Sequence, residues 1–209
     1  MTTVLIYGDS NTHGSGPAVD VQSGFRLPKQ DRWVSVVKSV LGPDVDIIDE
    51  GMPGRTTVLD DPINGAHYNG MRVFPAILHS HSPIDLLVVM LGTNDIQTKY
   101  GFRSYEVAQA LEKYVDVARQ SGAVRDIMLI SPVPVKEVGT YAESYAGASA
   151  RQAGMAERIQ AVASRLDIGF FDAATVAEAS NIDGVHFDTE NQQKLGLAMA
   201  HAIQTRLRK

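Results

Sequence analysis

Apolar positions along the chain fall into short unbroken runs, separated by longer stretches with helical spacing. Residues 4–7 (VLIY) form one run that stops at Gly8, the signature of a strand covered on both faces. Residues 33–41 (WVSVVKSVL) place apolar side chains at helical intervals and end at Gly42-Pro43, which predicts a helix and its stop. Residues 45–48 predict a second strand that ends near Gly51, residues 71–79 a helix, and residues 86–91 (LLVVML) the clearest buried strand, closed by Gly92. Residues 105–120 predict a long amphipathic helix with Ser104 as its N-cap and Gly122 as its stop. Residues 127–130 predict a fourth strand, 155–166 a helix, 168–171 a fifth strand and 191–207 a C-terminal helix.

Continuous apolar strands alternating with helices predict a parallel sheet with helices on both faces. The expected fold class is therefore α/β, a three-layer α/β/α arrangement around a five-stranded parallel sheet. Residues 1–209 are read as a single domain, since no repeat, low-complexity tract or linker divides them. In such sheets ligands bind at the carboxyl ends of the strands. Four short polar segments fall at or beside such ends: Gly8-Asp9-Ser10-Asn11, Gly51-Met52-Pro53-Gly54, Gly92-Thr93-Asn94-Asp95 and Asp183-Gly184-Val185-His186.

Composition narrows what these segments can do. The 209 residues hold no cysteine, which removes disulfides, thiolate metal sites and a cysteine nucleophile together. The formal net charge is −5 and no lysine or arginine run offsets it, so no nucleic-acid partner is expected. The opening MTTVLIYGDS has no basic segment and too short an apolar run for a signal or a spanning helix, so a cytoplasmic location without membrane association is expected.

Acyl transfer needs a nucleophile, a base, a group that orients the base, and donors for the oxyanion. The four segments offer one of each. Ser10 is the candidate nucleophile, because a serine hydroxyl becomes reactive when an adjacent base takes its proton. His186 is the candidate base, with an ordinary pKa suited to proton shuttling. Asp183, three residues earlier, is placed to hold the other ring nitrogen. The Ser10 N–H, the Gly51 N–H and the Asn94 side-chain amide are the candidate oxyanion donors. Taken singly, each segment also reads as an ordinary polar turn.

In order and local motif these residues resemble the SGNH hydrolases, also called the GDSL esterase/lipase family. Ser10, Gly51, Asn94 and His186 match the residues that name the family, and Asp183 matches its aspartate. The resemblance implies a flavodoxin-like SGNH hydrolase fold, no metal and no organic cofactor. The family's first block commonly carries leucine after the serine; here Asn11 stands in that place and is expected to flank the acyl pocket, shifting substrate preference. The GDSNTHG opening is most similar to the bacterial arylesterase/acyltransferase branch. That likeness implies a small-molecule ester substrate with a short acyl group, acyl transfer to alcohols beside hydrolysis, and a homo-oligomer, by analogy with octameric members. A carbohydrate acetyl esterase, a thioesterase or lysophospholipase, and a noncatalytic small-molecule-binding α/β domain are the other readings.

Asn11, Thr12, Ile182 and Val185 are expected to contact substrate by proximity to Ser10 and His186, with core packing the even alternative for Ile182 and Val185. Asp9 and Asp95 read as residues that tie down their turns. His13 reads equally as a substrate contact or an uninvolved histidine. His79 and His81 read as a solvated helix end, since no third metal-ligand cluster accompanies them. The loops 52–69 and 132–148 are long enough to predict that one or both cover the site or build a subunit contact.

Overall fold

The computed structural model describes residues 1–208, and in it the five apolar runs form parallel strands of one sheet. The strands are β1 (Thr2–Gly8), β2 (Val45–Gly51), β3 (Ile84–Met90), β4 (Val124–Ser131) and β5 (Gly169–Asp172). They form one sheet in the order β2-β1-β3-β4-β5, with β1 central to the pairings Gly8↔Gly51 and Gly8↔Met90. This is a doubly wound order, and it reverses direction between β1 and β3, where such folds open a binding crevice. The expected three-layer α/β fold is the one observed.

The helices are α1 (Ser10–His13), α2 (Trp33–Leu41), α3 (Gly70–His81), α4 (Ser104–Ser121), α5 (Ala148–Gln152), α6 (Met155–Arg165) and α7 (Thr189–Leu207). Successive strand residues point to opposite faces, and the core divides accordingly. Leu5, Tyr7, Leu87, Val89, Ile127 and Leu129 pack against α3, α4 and α6, through Phe74, Leu111, Tyr114 and Ile159. Val4, Ile6, Leu86, Val88, Met128 and Ile130 pack against α2 and α7, through Trp33, Val37, Leu195, Met199 and Ile203. No helix among the described residues is long and apolar enough to cross a membrane.

Two boundary expectations are corrected. Ser104 does not cap α4: it is the first helical residue, and its hydroxyl donates to Ala153 O at 2.7 Å. The cap position is Arg103, whose N–H donates to the Glu106 carboxylate at 2.8 Å. The C-terminal helix begins at Thr189, not at 191, because Asp188 accepts the Asn191 N–H at 2.9 Å and closes its first turn. The segment after β1, read as a turn, is the single helical turn α1. Asp9 caps it by accepting the Asn11 N–H at 3.0 Å.

Candidate active site

The carboxyl end of β1 delivers Ser10 as the first residue of α1. At that position a backbone N–H has no intrahelical acceptor, and the Ser10 N–H donates to no protein group among the described residues. Asp9, beneath it, is buried, and burial pushes its carboxyl up to about 6. The sequence reading of Asp9 as a turn residue agrees with this placement.

His186 arrives from the segment before α7. Its Nε2 lies 3.0 Å from Ser10 Oγ, across 176 residues of chain. Its Nδ1 lies 2.7 Å from Asp183 Oδ2. Asp183 is fully buried. Its Oδ1 accepts the Val185 and His186 N–H groups, both at 2.9 Å, and its Oδ2 also accepts the Ala18 N–H at 3.1 Å. Burial alone raises that carboxyl, but the hydrogen bonds from His186 and the backbone outweigh it and hold it below the usual carboxylate range. An ionised Asp183 fixes the proton of His186 on Nδ1 and leaves the Nε2 lone pair facing the serine hydroxyl. The ring is further held edge-on by Tyr141, at 5.7 Å between centroids.

Asn94 follows β3 and faces the same space. Its Nδ2 donates to Arg55 O at 3.0 Å and its Oδ1 accepts from Gln97 Nε2 at 2.9 Å. These bonds fix the amide's orientation and leave its second N–H available. Asp95, next to it, is buried, accepts the Thr57 N–H at 2.9 Å and the Thr57 hydroxyl at 2.5 Å, and is raised by burial to about 6. It ties the segment after β2 to the end of β3, in keeping with its reading as a turn residue.

A cavity of about 430 Å³ opens over these groups. Ser10, His186, Asn94 and Val185 line it, as does His13. Four sequence expectations are corrected. Gly51 does not line the cavity; its N–H donates to Asp49 Oδ1 at 3.0 Å, and a Cβ there would fall 2.3 Å from the His13 nitrogen. The glycine that does line it is Gly54, at φ +76 in the turn closed by Arg55 N–H to Met52 O at 3.2 Å. Proline then positive-φ glycine at the two central positions is a type II turn. The Gly54 N–H donates to no protein group among the described residues.

Asn11 turns away from the cavity. It is buried, its Nδ2 donates to Val185 O at 3.1 Å, and its Oδ1 accepts the Phe187 N–H at 3.2 Å, so it grips the chain on both sides of His186. Thr12 is fully buried and outside the cavity lining, while Ile182 is half exposed and also outside it.

Sequence reading missed Arg55, which is buried with its guanidinium 4.0 Å over the Tyr7 ring and donates to Gly8 O at 2.9 Å and to Glu50 O. It ties the ends of β1 and β2 together while its own carbonyl holds Asn94. Tyr141 and Tyr145 of the loop 132–148 and Pro53 and Gly54 of the loop 52–69 line the cavity, so both long loops contribute walls. His81 faces Glu50 at 3.1 Å, at the far end of α3.

Comparisons with known proteins bear on the family and the fold. The family model for the GDSL-like Lipase/Acylhydrolase family matches residues 6–194. The fold is similar to that of the M. smegmatis aryl esterase, with a TM-score of 0.93 and 30% identity over 99% of this chain and 100% of the other. It is similar also to a carbohydrate acetylesterase from Sinorhizobium meliloti, with a TM-score of 0.91 and 31% identity over 98% of this chain and 99% of that one. A carbohydrate acetylesterase family member from the same organism has 35% identity over the whole of both chains and a TM-score of 0.91. No curated protein matches the chain by sequence. With the family model spanning most of its length, the chain belongs to the GDSL-like lipase/acylhydrolase family and is a carboxylic ester hydrolase.

Proposed function

We propose that the chain is a serine esterase for short-chain acyl esters, working through an acyl-enzyme on Ser10. The observation that carries this reading is the 3.0 Å approach of His186 Nε2 to Ser10 Oγ, with Asp183 2.7 Å behind the ring. Ser10 Oγ attacks the ester carbonyl carbon as its proton passes to His186 Nε2, and the Asp183 carboxylate stabilises the imidazolium. The oxyanion takes hydrogen bonds from the Ser10 N–H, the Gly54 N–H and the free Asn94 Nδ2–H, with Gly54 replacing Gly51 in that role. Collapse breaks the bond to the alcohol, which leaves with the proton from Nε2, and the acyl group stays on Ser10 Oγ. Water then adds as His186 takes its proton, and collapse breaks the acyl bond to Ser10 Oγ, which takes the proton back from Nε2 as the carboxylic acid departs.

An alcohol in place of that water yields a new ester, so the reading includes acyl transfer. Competition between water and alcohol is read from the ratio of ester to acid products in mixed solvent. A homo-oligomer belongs to the same proposal. The apolar side chains of Val19, Val21, Phe25, Val138 and Ile182 are all exposed, on segments that meet where Thr140 Oγ1 donates to Ala18 O at 2.6 Å and the Thr140 N–H donates to Ile182 O at 3.3 Å.

A carbohydrate acetyl ester is the second substrate reading, supported by the Sinorhizobium meliloti structures. Rates on aryl acetates against acetylated sugars separate the two. The test of the mechanism is Ser10→Ala beside Asn94→Ala on 4-nitrophenyl acetate. Ser10→Ala is expected to lose at least about 10⁴-fold in kcat, and Asn94→Ala about 10²–10³-fold. Turnover by Ser10→Ala at a rate near that of the unaltered protein overturns the reading.

A further inference from the structure

The cavity that holds the serine is also lined by a cation with unused donors. Arg26 lines the cavity, with its Nε donating to His13 O at 2.7 Å. Its Nη1 and Nη2 groups donate to no protein acceptor among the described residues. The nearest carboxylate, Asp49, lies 3.6 Å from Nη2, beyond hydrogen-bond reach, and its Oδ1 accepts the Gly51 N–H. The Arg26 side chain is 40% exposed, and its Nε bond to His13 O holds it at the cavity. No aspartate or glutamate lines the cavity.

His13 lines the same cavity and adds no positive charge to it. Burial, then the charges of Arg26 and Arg32, hold its imidazole down to about 4, so it is neutral at physiological pH. Burial disfavours charge of either sign, and it is the two arginine charges that favour an anion beside them. A guanidinium fork with free N–H groups matches a carboxylate in shape as well as charge.

Resting on the esterase reading, we infer that Arg26 makes the site select esters that carry a carboxylate, and that this anion sits in the Arg26 corner of the cavity. The carboxylate can belong to the alcohol part or to the acyl part. Both place one negative charge in the cavity that Arg26 and Ser10 line together.

The experiment measures kcat/KM for two pairs of substrates on the full chain. One pair is 4-acetoxybenzoate against neutral 4-acetoxybenzamide; the other is the 4-nitrophenyl monoester of adipic acid against 4-nitrophenyl hexanoate. The anionic-to-neutral ratio of the unaltered protein is divided by that of Arg26→Gln, which cancels intrinsic ester reactivity and any loss common to both substrates. The expected quotient is about five- to tenfold in one pair, most of it retained in Arg26→Lys and reduced in 0.5 M sodium chloride. The first pair responding assigns the anion to the alcohol part, the second to the acyl part. A quotient near one in both pairs, together with ratios in the unaltered protein that ignore salt, overturns the inference. Failure of the underlying reading is distinguishable, because it appears as hydrolysis of the neutral esters that survives Ser10→Ala.

Discussion

At the scale of single residues, Asn11 shows how a side chain next to the nucleophile can act without meeting substrate. Its amide spans Val185 O and the Phe187 N–H, which flank His186. Gln192 extends the grip by donating to Asn11 O at 3.1 Å and accepting the Trp33 N–H at 2.8 Å. Asn11→Leu removes both amide bonds while keeping the same branched skeleton of side-chain heavy atoms. The expected result is a fall in kcat of about 10- to 100-fold from a displaced imidazole, with KM changed less than about threefold. Wild-type kcat in a folded Asn11→Leu protein contradicts the positioning role. Ser10, Asn94, Asp183 and His186 were legible in the sequence because chemistry restricts which residue types can serve and strand ends restrict where. Asn11 was not, since its partners lie 174 and 176 residues away and nothing local to GDSN announces them. Gly51 and Gly54 compete for one role in the segment GMPG, and the deciding signal was the Pro-Gly pair, which demands a positive φ at the second residue.

At the scale of elements, two devices hold the loop after β2 over the site. The type II turn sets Gly54 in the cavity wall, and a Cβ there would meet the Tyr68 ring at 2.5 Å. Gly54→Ala is expected to cost about 1 kcal/mol in urea unfolding, from the left-handed φ, and to lower kcat at least about tenfold as the turn shifts. Unaltered kcat would place the oxyanion elsewhere. The second device is Asp61, buried, which accepts from Lys99 Nζ at 2.6 Å, Tyr100 OH at 2.7 Å and the Ile63 and Asn64 N–H groups, each at 2.8 Å. Burial raises its carboxyl, but these donors outweigh it and hold it well below the usual range. A carboxyl depressed in the folded state stabilises above its unfolded pKa of about 4, and that stabilisation fades as pH falls below it. Asp61→Asn is therefore expected to cost about 2 kcal/mol at pH 7, with the gap to wild type closing below about pH 4. A gap independent of pH contradicts the ion-pair account. The helix α2 was legible to the residue, since Gly42 takes φ +77 and stops it where the apolar spacing ends. The start of α4 was not, because Ser104 Oγ finds Ala153 O from a distant segment in place of its own helix.

At the scale of the whole molecule, the sheet order was the part that periodicity could reach only in outline. Apolar runs gave five parallel strands, yet which neighbours pair depends on how the helices cover each face, and that lies in the division of Leu5 and Tyr7 from Val4 and Ile6. The order β2-β1-β3-β4-β5 then brings the ends of β1 and β3 together and seats Ser10 and Asn94 on one rim. Native mass spectrometry is expected to give a mass at least twice that of the chain, and a monomer at micromolar concentration contradicts the proposed assembly. This rim is proposed to convert Ser10 into a nucleophile through His186. The most direct measurement is intact-mass and peptide analysis after exposure to a 4-nitrophenyl phosphonate ester. One adduct per chain, on Ser10, absent in Ser10→Ala and formed far more slowly in His186→Ala, is the predicted result. A folded protein that takes no adduct, or takes it on another residue, contradicts the account.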